Sequence, residues 1–584
     1  SERKRGKIMI VREAVLHIPL SQYAYAPDES RLTLRLRAAR NNLSACIVHY
    51  GNRAQNEIQT NFTPFYMQIV AHDALFDYYE ATITPGFRRV CYYFELVCAD
   101  ETVIYCADLF MNTLPPTRSE FYQYPYIRRE EISDVPHWFK HAVVYNIFPD
   151  SFASGKRTLA ANPHRAASGY GITTKSRLGG TIRGVMENLD YIKALGFNCI
   201  YLNPIFAAGE YHKYDLIDYY HIDPSFGTDE DFEQLVDTAH KMGMRVIIDG
   251  VFNHSGTQFF AFQDVLKNGE KSQYVDWFYD LHFPLTQPDG GSRPNYSCFA
   301  YEPKMPKLNT SNPETRDYFM GVCKHWTRNY HIDGWRLDVA NEVDREFWRA
   351  FRRTVKSENP ECVMIGEIWE SSENWLRGDM FDSTMNYDFR KNCRDFFANE
   401  TLNAAEFHAR TTQMRMRYPE GIVQGQLNLL DSHDVSRFLS LCDGDARRFQ
   451  LAVVFLMTFP GVPSVFYGDE MGILGDCEDE YRAGMPWGQN GRFSSFFQDV
   501  TTLRSNEAVI SGNYTLLHAE PDSHLYAFAR ATQKQKITVL LNAGAKQEST
   551  VSLDLPKQKP LLSDGFYSES IGGYSYAVWV ESIS

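Results

Sequence analysis

The sequence predicts a multidomain protein: a (β/α)8, TIM-type barrel with a subdomain inserted after its third strand, flanked by an N-terminal and a C-terminal β-sandwich. Three observations carry this prediction. Eight short apolar runs, near residues 143, 199, 246, 335, 363, 385, 427 and 465, alternate with helix-period segments. The regions before and after them show period-two alternation instead. At 584 residues the chain is also too long for one hydrophobic core.

Residues 1–112 read as the first sandwich. Leu32-Thr33-Leu34-Arg35-Leu36-Arg37 alternates strictly, and Arg89-Val90-Cys91-Tyr92-Tyr93-Phe94-Glu95-Leu96 is β-branched and aromatic, with turn residues between such runs. A Pro-, Tyr- and Arg-containing stretch at 113–136 has no period and reads as a linker. The barrel is expected over 137–505. Its helices announce their ends: Thr228 as a cap before Asp229, Glu230 and Asp231, an apolar stripe of Phe232, Leu235, Val236 and Ala239, and Gly243 as the stop. Asn312-Pro313-Glu314 opens a second helix in the same way. The gap between strands three and four is long and rich in Pro, Gly and Asn, so about 255–310 reads as the inserted subdomain. Short alternating strands return at 510–584, as in Lys536-Ile537-Thr538-Val539-Leu540-Leu541.

Composition narrows the function. The formal net charge of −14 excludes nucleic acid and anionic membrane as main partners, since both require a basic stripe. The one basic run, Arg3-Lys4-Arg5, reads as a solvated tail, with Met9 a plausible native start. Eleven cysteines without a CxxC pair fit buried free thiols, with neither a metal cluster nor a disulfide framework. No apolar run is long enough to span a membrane and no secretory leader opens the sequence, so the expected location is cytoplasmic, a leader removed upstream excepted. No GxGxxG or GxxxxGK[ST] follows an early strand, which speaks against nucleotide binding. The 35 Tyr, 39 Phe and 9 Trp suit a binder of pyranose rings, whose apolar faces stack on flat side chains.

In such a barrel the active site forms at the carboxyl ends of the strands. Four of them carry acids, three with Arg or His in the same stretch. Strand three ends Ile248-Asp249-Gly250-Val251-Phe252-Asn253-His254. Strand four reads Gly334-Trp335-Arg336-Leu337-Asp338, strand five Ile365-Gly366-Glu367-Ile368-Trp369, and strand seven Leu430-Asp431-Ser432-His433-Asp434. One acid at a strand end is ordinary capping. Acids at four such ends, with Arg and His among them, suit glycoside hydrolysis, which needs one carboxyl group to protonate the leaving oxygen and another to attack or to activate water. An Arg beside the nucleophile keeps it ionised, while a less compensated Glu stays protonated.

These blocks resemble the signature regions of the α-amylase superfamily, glycoside hydrolase family 13. Tyr201-Leu202-Asn203-Pro204, His212-Lys213-Tyr214-Asp215 and Asp223-Pro224-Ser225-Phe226-Gly227 extend the resemblance. Met305-Pro306-Lys307-Leu308-Asn309 and Val339-Ala340-Asn341-Glu342 resemble the neopullulanase, cyclomaltodextrinase and maltogenic amylase subgroup. The resemblance implies roles. Asp338 would be the nucleophile, Glu367 the general acid/base, and Asp434 the residue that binds the distorted sugar, assisted by His254 and His433. Arg336 would orient Asp338, Tyr214 would stack on the cleaved sugar with His212 nearby, and Trp369 and Glu342 would face the leaving side. The two first carboxylates would then lie roughly 5–5.5 Å apart and the reaction would retain configuration.

The implied activity is cleavage of α-1,4-glucosidic bonds in cyclomaltodextrins and maltooligosaccharides, with pullulan or starch and some sugar transfer in range. A homodimer, closed by the partner's N-terminal domain, is implied as well. The alternatives are a glucanotransferase with the same triad and a non-catalytic glycan-binding relative, which would be expected to lack a triad acid. The sequence departs from the family at Glu370, where the subgroup has His, at Asp431, where Gly is common, and at Gly250, where Ala is common. After the first strand, Lys156 and Arg157 stand where relatives place calcium ligands, so no metal and no cofactor is expected.

Overall fold

The computed structural model describes residues 9–55, 61–132, 134–157, 159, 177–287 and 293–583; the Arg3-Lys4-Arg5 run lies outside them. The N-terminal region forms two antiparallel sheets. One has the spatial order Ala24–Asp28, Arg31–Ala39, Phe76–Ile83, Gln68–His72. The other runs Thr63–Tyr66, Ala45–Asn52, Val90–Val97, Thr102–Cys106, Leu109–Met111. Alternation does the work here: Leu32, Leu34, Leu36 and Ala38 face Val90, Tyr92, Phe94 and Leu96 in one core. Tyr122–Tyr124 pairs with Val90–Val97, so this sheet reaches into the 113–136 segment read as a linker.

All eight expected parallel strands are present and close into a barrel: Val144–Ile147, Cys199–Leu202, Arg245–Gly250, Gly334–Leu337, Val363–Gly366, Ser383–Asn386, Leu427–Leu429 and Val462–Phe466. Closure is made by the first strand, which pairs with both the second and the eighth. Most of their residues are apolar because both faces are buried. Val144, Tyr201, Ile247, Ile365 and Leu427 fill the interior, while Tyr145, Ile200, Ile248, Trp335 and Met364 pack outward on the helices.

The helices follow their end signals. Thr228 and Asp231 form a reciprocal capping box at the start of Asp229–Lys241, which buries Phe232, Leu235, Val236 and Ala239. Asn312 accepts the amides of Glu314 and Thr315 at 2.8 and 3.1 Å, with Pro313 in the first helical position. Gly250 also gains a reason. A Cβ there would stand 2.7 Å from a ring carbon of Phe252 and 2.9 Å from one of Trp335, so these two rings occupy the space of an alanine methyl.

The segment after strand three leaves the barrel, forms the helix Phe260–Asn268, and returns by bridges from Phe278 to Leu308 and from His254 to Lys307. It thereby arches over the mouth. At the C-terminal end six strands form one hydrogen-bonded antiparallel sheet, in which Ser570–Ser582 pairs with three others. Its strands also bury both faces. Tyr526 and Phe528 pack toward the barrel, and Leu525 and Ala527 pack with Trp579 on the other side. Among the described residues no helix is long and apolar enough to cross a membrane.

Candidate active site

Period-two geometry brings the acids together. Tyr201, Ile247, Arg336 and Ile365 point inward from strands two to five or sit at inward register, so two residues further on Asn203, Asp249, Asp338 and Glu367 share that face. Arg336 is fully buried at the centre. Its Nη1 donates to Asp338 Oδ1 at 2.7 Å and to Asp249 Oδ1 and Oδ2 at 2.9 and 3.0 Å. Its Nη2 lies 3.0 Å from Glu367 Oε2 and 3.9 Å from Asp434 Oδ2. One guanidinium therefore serves four carboxyl groups.

One guanidinium among so many carboxyl groups does not offset the cost of burying them. Burial pushes the Asp338 carboxyl well above the usual range; Arg336 opposes this, and Glu367, Asp249 and Asp434 raise it further. Burial also raises Asp249 and Asp434, against the pull of Arg336 on both and of Arg482 on Asp434. Asp338, Asp249 and Asp434 thus each retain a proton more strongly than a free carboxylate does.

Glu367 is fixed at both oxygens: Trp369 donates its indole N–H to Oε1 at 3.0 Å, and the Val339 amide donates to Oε2 at 2.9 Å. Val339 aims that amide from a left-handed backbone conformation (φ 44°, ψ 44°), which is costly for a β-branched residue. Trp369 lies flat on Tyr387, ring centroids 3.7 Å apart, with its other edge exposed.

The opposite wall is aromatic and neutral. Tyr214 donates to Asp249 Oδ2 at 3.0 Å, lies 2.5 Å from His433 Nε2, and is stacked on the His433 ring. His433 also contacts Asn203 at 2.9 Å and Asp434 at 3.0 Å. His212 Nδ1 accepts the Tyr214 amide at 3.0 Å, and His254 stacks on Phe299 from the insertion. Burial lowers His212 and His254 to about 3, helped by the positive charges of Arg482 and Lys307 respectively, and drives His433 well down too. All three are neutral rings at pH 7.

A cleft of about 640 Å³ opens over this arrangement. Asp338, Glu367, Asp434, His212, Tyr214, His254, Glu342 and Trp369 all line it, with Arg336 and His433 packed beneath. Glu342 pairs with Lys307 at 3.5 Å, and Glu370 accepts the Asn341 amide at 2.9 Å on the same rim. The sequence reading missed Arg482, which follows strand eight. Its guanidinium donates to the His433 carbonyl at 2.7 Å and to Tyr211 at 2.8 Å, and reaches Asp434 Oδ1 at 3.4 Å. Asp431 accepts the Phe438 amide at 2.7 Å and so anchors the turn that carries His433 and Asp434.

Asp338, Glu367 and Asp434 gathered around one guanidinium in an aromatic-walled cleft provide what cleavage of a glycosidic bond requires. The class of protein is a glycoside hydrolase. The chain belongs to the alpha-amylase family: residues 146–544 match the alpha amylase catalytic domain and residues 9–128 the alpha amylase N-terminal ig-like domain. It is 42% identical over 555 residues to Neopullulanase 2 of Thermoactinomyces vulgaris, covering 93% of each chain. To the intracellular maltogenic amylase of Bacillus subtilis (strain 168) it is 34% identical over 540 residues, 91% of each. A solved cyclomaltodextrinase superposes with a TM-score of 0.90 at 36% identity, covering 98% of this chain and 100% of that one.

Proposed function

We propose that the chain hydrolyses α-1,4-glucosidic bonds of cyclomaltodextrins and maltooligosaccharides with retention, and acts on pullulan and starch and transfers sugar to a lesser extent. The observation that carries this is the Arg336 hub, which holds Asp338 and Glu367 on its two terminal nitrogens at 2.7 and 3.0 Å. In this reading Asp338 attacks the anomeric carbon as the bond to the glycosidic oxygen breaks, and Glu367 delivers a proton to that oxygen. Glu367 then takes a proton from water, whose oxygen replaces Asp338 at the same carbon. Asp434, steadied by His433 and Arg482, binds hydroxyls of the flattened ring, and neutral His212 and His254 donate to it without adding charge. Tyr214 is the stacking platform; Trp369 and Glu342 face the leaving side. The relatives' names, neopullulanase, cyclomaltodextrinase and maltogenic amylase, support the substrate class.

No metal or organic cofactor is assigned. In the loop after strand one, Lys156 and Arg157 lie 3.6 and 3.7 Å from Asp190, so that acid is already countered by cations. A homodimer is part of the proposal, supported by Tyr66, Ile69 and Val70 exposed on N-terminal strands. A cytoplasmic location is supported by eleven cysteines, all free. The test is a product profile on β-cyclodextrin, pullulan and starch in parallel, with Asp338→Asn as control. Cyclodextrin opening to maltose and glucose, lost in the variant, is the expected result; normal activity of Asp338→Asn overturns the nucleophile assignment.

A further inference from the structure

A second cavity, of about 630 Å³, lies away from the barrel mouth where three regions meet. The N-terminal sheet supplies Arg31, Arg35, His72 and Glu80, and the C-terminal sheet supplies Asn513 to Leu516. The third wall is the barrel helix Ala404–Met416, on which His408 and Arg415, two turns apart, share a face. Arg415 is the anomaly. It is 6% exposed, yet its guanidinium makes no hydrogen bond or ion pair with any described residue. It lies over the Tyr514 ring at 4.2 Å, which leaves its donor edge free.

The neighbouring charges do not resolve it. Arg35 is paired with Glu80 at 2.7 Å and Arg31 with Asp28 at 2.6 Å. Glu420 accepts from Gln424 at 3.5 Å and forms no ion pair with Arg415. His408 is lowered to about 3 by burial, with His72 and Arg415 adding to the effect, so it brings no charge. Buried Arg530 stands behind, its donors on the backbone carbonyls of Gly512 and Ile510. A buried guanidinium is rarely left unpaired, because removing it from water without a partner is costly.

We infer that this cavity is a binding site for a phosphate group, free or carried by a small sugar, with Arg415 as its anchor. A planar guanidinium with a free donor edge matches phosphate oxygens in pairs. The volume accommodates a hexose phosphate, and junctions between domains are favoured places for such sites. Thr82, Asn513, Thr515 and the ring of His72 offer hydroxyl-binding groups around it. Because the ligand would touch three regions at once, its binding would tie them together.

Calorimetric titration of the full chain with inorganic phosphate, glucose 6-phosphate and glucose tests this. Saturable binding of a phosphate probe is expected, weakened about tenfold or more in Arg415→Met. Thr515→Trp, at an exposed position on the rim, is expected to block it, and both variants are expected to keep their maltodextrin hydrolysis. Which of the two phosphate probes binds more tightly identifies the source. No saturable binding by either phosphate, equal binding by glucose, or binding unchanged in Arg415→Met overturns the site. If Arg415→Met does not fold, Thr515→Trp decides alone: retained phosphate binding overturns it.

Discussion

Trp369 and Glu367 are joined by a 3.0 Å hydrogen bond from the indole N–H to Oε1, while the same indole lies flat on Tyr387. The acid is therefore aimed by a side chain that is itself clamped on one face and open to substrate on the other. Trp369→Phe keeps the stack and removes only the donor. A fall in kcat of about tenfold is expected, for loss of one hydrogen bond to a charged or proton-sharing group, with a smaller change in KM. If KM rises and kcat holds, Trp369 serves binding alone.

Glu367→Gln removes the transferable proton and leaves the donors from Val339 and Trp369 in place. General acid catalysis is worth about 10²–10⁴-fold, so maltodextrin hydrolysis should fall by that much. Maltosyl fluoride, whose leaving group needs no proton, should still form the glycosyl intermediate at a near-normal rate. Equal losses on both substrates would remove Glu367 from the acid role.

How much of this was legible follows from geometry. Barrel strands are buried on both faces, so Val144, Ile200, Val246 and Met364 sit in unbroken apolar runs that stand out in any window. Glu367 was legible because it follows such a run at the inward register, and Asp338 because it follows Trp335-Arg336-Leu337 at the same register. Arg482 was not: it caps a four-residue helix too short to show a period, and only the fold brings it to Asp434. Tyr122–Tyr124 was missed because three residues cannot display alternation. Nothing local in the sequence marks Arg415, since the regions that bury it are far away in sequence.

Gly250→Ala restores the residue common in the family, yet here it should destabilise. The new methyl would meet Phe252 and Trp335 at 2.7 and 2.9 Å in a packed interior. Overpacking of this kind costs about 1–3 kcal/mol. Thermal or urea unfolding should show that loss, and Gly250→Ala combined with Phe252→Leu should recover part of it. An unchanged midpoint in the single variant would mean that the rings yield freely.

Asp338 ties catalysis and stability to pH in opposite ways. As a nucleophile it must be ionised, and burial with three acidic neighbours raises its carboxyl well above the usual range. Activity should therefore fall, as pH drops, earlier than an ordinary carboxylate would dictate. Asp249→Asn, which removes one acidic neighbour, should move the acid limb of kcat/KM to lower pH, and loss of the Arg336 charge should move it up. For stability, a carboxyl raised in the folded state holds its proton there while the unfolded chain has already released it. Its contribution is present at low pH and is lost as pH rises through the raised value. Asp338→Asn, a permanent mimic of the protonated form, should then unfold at a higher temperature than the native chain at pH 7. That advantage should shrink toward pH 4. A variant less stable than the native chain at pH 7 would show that Arg336 more than compensates the buried charge.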